Sequence, residues 1–241
     1  GNGIFTLGGD VTATNIIISG ASTTTVGAND KIVGSVSNDS GAALGTLTFT
    51  TGNNSLTLVS GSIGTSAATG LVALNASSGS GTKTFNGNVY ATTITAVATD
   101  DTNTDTIAFS GTVNATELNL DGAGAFTLGG DVTATNIIIS GDSTTTVAAG
   151  KKIVGIVSND GTSGEGTLTF APTISGTDNV LASANVGSSA KLLKLIEITV
   201  TDAANNANAT ATMAGNLYAT TITSTATAKS ANGTDAIAYK G

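Results

Sequence analysis

The sequence predicts an all-β fold, a parallel β-solenoid, and three observations predict it. Residues 5–20 (FTLGGDVTATNIIISG) return without a change as residues 126–141, 121 positions later. Self-similarity at fixed spacing marks an array rather than a single globular domain. Within the long repeat a shorter pattern, Gly-x-Val/Leu-x-Ala-Thr, occurs five times, starting at Gly9, Gly87, Gly111, Gly130 and Gly215. Two of its spacings are 24 and 19 residues, and the longer ones leave room for degenerate copies. A unit of that size suits one solenoid turn and is too short for a helical hairpin or an immunoglobulin-like domain. The third observation is side-chain alternation that breaks at the same place in successive units.

In the first unit Val11 and Ala13 share one side of a strand and Ile16 and Ile18 share another, with the register breaking at Thr14-Asn15. Val89 and Ala91 before Ile94 and Ala96 break likewise, as do Val113 and Ala115 before Leu118 and Leu120. A one-residue slip throws an apolar set outward unless the chain turns a corner there, so each unit reads as strand, corner, strand. The small Ala beside the corner suits a narrow interior. Further along, Ser22 to Val26, Lys31 to Gly34 and Gly45 to Phe49 return as Ser143 to Val147, Lys152 to Gly155 and Gly166 to Phe170. Residues 191–200 are the one ambiguous stretch; Ile196, Ile198 and Val200 set against Leu195, Glu197 and Thr199 favour a strand. Elsewhere Thr, Val, Ile and Gly dominate, and no long run carries a helical period.

These units imply about twelve coils of ~20 residues in one continuous rod of roughly 55–60 Å, in two super-repeats, residues 1–121 and 122–241. The five Gly-led units are expected at equivalent corners, with Val11, Ala13, Ile16, Ile18 and their counterparts inside. Two tandem β-sandwiches of about 120 residues also fit the long repeat, but not the 24- and 19-residue spacings.

Composition narrows function. The 241 residues are 39% hydrophobic but only 4% aromatic, which supplies a thin core of small aliphatics. No Cys is present, so no disulfide framework and no thiolate metal site. No stretch approaches the roughly 20 apolar residues of a membrane-spanning helix. No secretory signal is visible, and any targeting segment is expected outside this sequence or already removed. The net charge is −8 and every basic residue is a Lys, so nucleic-acid binding is not expected. Such a sparsely charged, acidic surface fits an extracellular or surface-displayed protein.

Without His, Cys or Arg, nucleophile triads, His-based zinc sites and Arg clamps cannot be assembled. The reading is therefore non-enzymatic, with no cofactor. Paired acids remain the route to a polysaccharide-active enzyme on a β-helix, and the one dense cluster is Asp100, Asp101 and Asp105. That cluster reads either as a solvated loop or as a weak calcium site built from carboxylate and carbonyl oxygens. Asp10 and Asp131 occupy a slot filled by Asn88, Thr112 and Asn216 in other units, which marks a turn residue rather than a ligand. Lys151 and Lys152 read as a solvated pair. A threonine ladder of the kind that binds ice is not uniform beside the Ala positions, where Thr12, Tyr90 and Asn114 share one slot.

Residues 84–95 (TFNGNVYATTIT) and 128–136 (LGGDVTATN) resemble the passenger repeats of bacterial autotransporters, the rickettsial surface cell antigens and similar "beta strand repeat" surface proteins among them. The resemblance extends over most of the chain as a style of repeat. It implies a β-solenoid displayed outside the cell as an adhesin or protective layer; the family's β-barrel translocator has no counterpart here. The expected function is thus a structural or adhesive surface rod. A host-cell or neighbouring-cell surface is the expected partner, and the coils are expected to continue or stack end to end. A filament or surface-lattice subunit is the alternative.

Overall fold

The computed structural model describes residues 2–39, 43–66, 70–99, 105–171, 179–201, 209–227 and 234–241. Among them the chain forms strands and turns only, with no helix, and neighbouring strands build one eleven-stranded and one ten-stranded sheet. Each strand pairing is parallel, so antiparallel sandwiches are excluded. The ambiguous stretch is the strand Leu193–Thr201, with Ile196, Ile198 and Val200 buried.

Several strands bend. Val89–Ala98 alternates between buried and exposed residues until Thr92-Thr93, where two outward residues follow one another, and Val132–Ile139 does the same at Thr135-Asn136. The expected strand-corner-strand unit is therefore present, and a bent strand contributes to two faces of the solenoid. Following the register through the sheets resolves three columns of stacked residues. The first face carries Phe5, Thr24, Leu47, Leu74, Ile94, Leu118, Ile137, Val157, Val186 and Leu217. On the second lie Val11, Ile32, Val59, Phe85, Phe109, Leu128, Val147, Phe170, Ile198 and Ser224. The third holds Ile16, Val36, Ile63, Val89, Val113, Val132, Ile153, Ala182, Met213 and Tyr239.

Among the described residues, ten three-faced coils, nine full turns from Phe5 to Leu217, replace the twelve expected. Their lengths run from 19 residues (Phe5 to Thr24) to 31 (Val186 to Leu217). Nine steps at the ~4.8 Å strand spacing make the stack about 43 Å long. One continuous cluster of buried side chains fills it, with Phe85 stacked on Phe109 at 5.2 Å and Phe49 edge-on to Phe85 at 5.7 Å.

The corner from the second face to the third is tight in coils three to six, and its glycines rest on one another. A Cβ on Gly87 would stand 2.4 Å from the Gly61 carbonyl oxygen, and one on Gly130 would stand 2.4 Å from that of Gly111. The expectation that all five Gly-led units share equivalent corners is corrected here. Gly87, Gly111 and Gly130 share one, but Gly9 precedes the second face and Gly215 precedes the first. The cause is length: the super-repeat does not fill a whole number of coils.

Candidate functional surfaces

The acidic cluster is the first candidate. Asp100 and Asp101 lie outside the described residues. Asp105 opens the strand Asp105–Phe109, is fully buried, and points inward two residues before Ile107, with its Oδ1 beside Gly124. Its counterpart Asp235 accepts the Ala209 N–H across the sheet at 3.0 Å. Among the described residues no three acidic groups gather as metal ligands would.

Asp10 and Asp131 do what their turn position predicts. Each carboxylate Oδ1 accepts a backbone N–H from the next coil, Lys31 and Lys152 respectively, at 3.2 Å in both cases. Asn88 receives the Thr112 N–H at 2.9 Å and Asn185 the Asn216 N–H at 3.0 Å. These side chains link coil to coil where a tight corner diverts the backbone ladder. Lys152 is exposed and Lys151 half-exposed, beside a recess of about 330 Å³ shared with Asp131 and Asn179.

One polar group was missed. Lys83 lies within the second face, between Leu56 and Ile107, and is only 2% exposed. Its ammonium donates to the Asn54 carbonyl oxygen, and burial pushes its pKa below the ordinary 10.5. The signal was present: Lys83 stands two residues before Phe85, so strict alternation already pointed it inward.

Threonines align where the Gly-led units did not suggest. On the second face Thr127, Thr146 and Thr169 stack outward, with Thr144 and Thr167 in the neighbouring column. Ala125 and Ala108 precede this array, and Leu195 and Glu197 follow it, with Glu197 accepting the Thr169 hydroxyl at 3.3 Å. The array spans three coils.

Among the described residues, large apolar side chains lie exposed at both end coils. At the first coil Ile4 is 81% and Phe5 57% exposed, and Ile17 lies open nearby. A concavity of about 400 Å³ there is lined by Phe5, Leu7, Val11, Ile16 and Ile18. At the last coil Ile222 and Tyr239 are exposed around a second recess of about 410 Å³. The residues around the first concavity recur inside the rod, where Phe126, Leu128, Val132, Ile137 and Ile139 are all wholly buried. There the preceding coil covers them: Ile107 lies under Phe126, Phe109 under Leu128 and Leu118 under Ile137.

No family model, curated protein or solved structure matches this chain.

Proposed function

We propose that this chain is a structural or adhesive segment of an extracellular surface protein, of the autotransporter-passenger kind. On this reading it acts as a rod rather than as an enzyme. Its coils continue into further coils, supplied either by more of the same polypeptide or by stacked copies of the chain. The observation that carries the reading is the bare first coil, whose own sequence elsewhere in the rod is covered by another coil. Exposed strand edges and apolar rungs favour pairing with a further strand. The open last coil supports the alternative of a filament or surface-lattice subunit, because a head-to-tail contact leads to an open polymer.

Sedimentation at rising concentration tests the stacking. Reversible growth beyond the 23.2 kDa monomer is expected. A monomer at every concentration leaves continuation within a longer polypeptide as the surviving form. Glycan turnover by the purified chain, lost in Asp101→Asn, would replace the rod by the polysaccharide-active reading.

A further inference from the structure

We infer that the super-repeat is a turning display unit: each copy presents its outward side chains one face, a third of a turn, further round the rod than the copy before it. The inference builds on the rod reading above and adds the direction in which the rod meets partners. Phe5 lies on the first face of coil one, and its copy Phe126 lies on the second face of coil six. Val11 moves from the second face to the third as Val132, and Ile16 from the third to the first as Ile137. The shift persists to the far end. Leu47 and Leu168, Phe85 and Met213, and Val89 and Leu217 are each five coils and one face apart.

Insertions do not disturb this count. The residue offset between copies grows from 121 at Phe5 and Phe126 to 130 at Phe109 and Tyr239, yet the number of faces stays the same. The extra residues lengthen coils, yet the described strands keep the same three faces in each. The turn per copy is therefore a property of the strand count.

The identity extends to residues that the core does not require. Thr12, Thr14, Asn15 and Ile17 face outward, and Thr133, Thr135, Asn136 and Ile138 repeat them. This uncharged strip of hydroxyls, carboxamide and one isoleucine recurs after about 26 Å of axial rise, at the ~4.8 Å strand spacing, and a third of a turn away. Hydrogen-bonding groups and one apolar side chain are what a partner of this strip would have to match. Neighbouring copies accept two such partners at once, whereas a flat surface along one side meets one copy in three.

Two measurements test this, and neither depends on whether the rod stacks or is displayed on a cell. The chain has no Cys, so spin labels can be placed at will. Thr6 and Asn119 share an outward column five coils apart, so labels on Thr6→Cys/Asn119→Cys are expected about 24 Å apart. Thr6→Cys/Thr127→Cys is expected to be the longer pair, although those two residues are the sequence equivalents. The opposite order would mean that the copies share a face and would overturn the inference. For the binding arm, a single-domain binder selected against Thr133, Asn136 and Ile138 is titrated onto the chain. Two per chain are expected, falling to one in either Thr14→Lys or Thr135→Lys. One binder per wild-type chain, with each variant still binding one, would show mutual exclusion on a shared side. Complete loss in Thr135→Lys would show that the first copy displays no equivalent strip; either result sinks the proposal.

Discussion

Residues 5–20 and 126–141 are one sequence in two situations. Towards the next coil they behave alike: Phe5 pairs with Thr24 as Phe126 pairs with Thr145, and Leu7 with Val26 as Leu128 with Val147. Towards the preceding coil they differ completely, since Ile107, Phe109, Val113 and Leu118 underlie the second copy and no described residue underlies the first. Phe126 is wholly buried and Phe5 is 57% exposed for that reason alone. Local sequence thus sets strand and corner, while the neighbouring coil sets burial. In a solenoid, stability is a sum of such neighbour contacts.

The sharpest way to break this comparison is at its two large aromatics. Phe126→Ala is expected to cost about 3–5 kcal/mol, the range for removing a buried aromatic. Phe5→Ala should cost under about 1 kcal/mol, because most of its ring never left water. Urea unfolding of the two variants decides it, and equal losses would mean that a cover protects the first coil in solution. The glycines give a second contrast. Gly130→Ala drives a Cβ into the Gly111 backbone and should cost about 3 kcal/mol, whereas a Cβ on Gly9 meets nothing within 4 Å. Neither position needs a left-handed backbone, so thermal melts of the two variants report the coil-to-coil approach itself.

A smaller effect comes from the interior lysine. Lys83→Met should stabilise the rod by about 1 kcal/mol at neutral pH by removing a charge from an apolar column. Because the folded-state pKa lies below 10.5, the unfolded chain binds the proton more tightly through the window between the two values. Wild-type stability should therefore rise with pH across that window and level off above it. Denaturation midpoints taken from pH 7 to 11 should show this slope in the wild type and not in Lys83→Met. The smallest effect is the control. Asp10→Ala and Asp131→Ala each remove one acceptor for the next coil's N–H and should cost about 0.5–1 kcal/mol, Asp10→Ala a few tenths more because it also breaks the exposed Lys31 ion pair at 3.4 Å. A large difference between them would mean that the two copies diverge on the side where they pair alike.

The fold was legible where alternation met a break in alternation. Val89–Ala98 and Val132–Ile139 carry their corners in plain sequence, since two outward residues in succession mark a bend or bulge in a strand. The number of faces was not legible. Period two says which side of a strand is inside, but it does not say which earlier strand lies beneath it. The same gap hid the unequal corners of Gly9, Gly130 and Gly215. Coil count failed for a related reason, because long coils such as the 31 residues from Val186 to Leu217 dilute the period. Of the candidate site, Asp105 shows the limit most clearly. Its neighbours in sequence suggested a loop, while its spacing from Ile107 and Phe109 already placed it on the inward side.

The column Gly61, Gly87, Gly111 and Gly130 bears on how such a gene changes. Each of these residues leaves no room for a side chain because the coil beneath it comes within 2.4–2.6 Å of where a Cβ would stand. A side chain at one of these places meets the backbone of the coil beneath it, whereas Gly9, the copy of Gly130, stands at another corner with open space around it. Two identical sixteen-residue stretches thus carry one glycine that the fold requires and one that it leaves free to change, so the same letter is a constraint in one place and a liberty in the other.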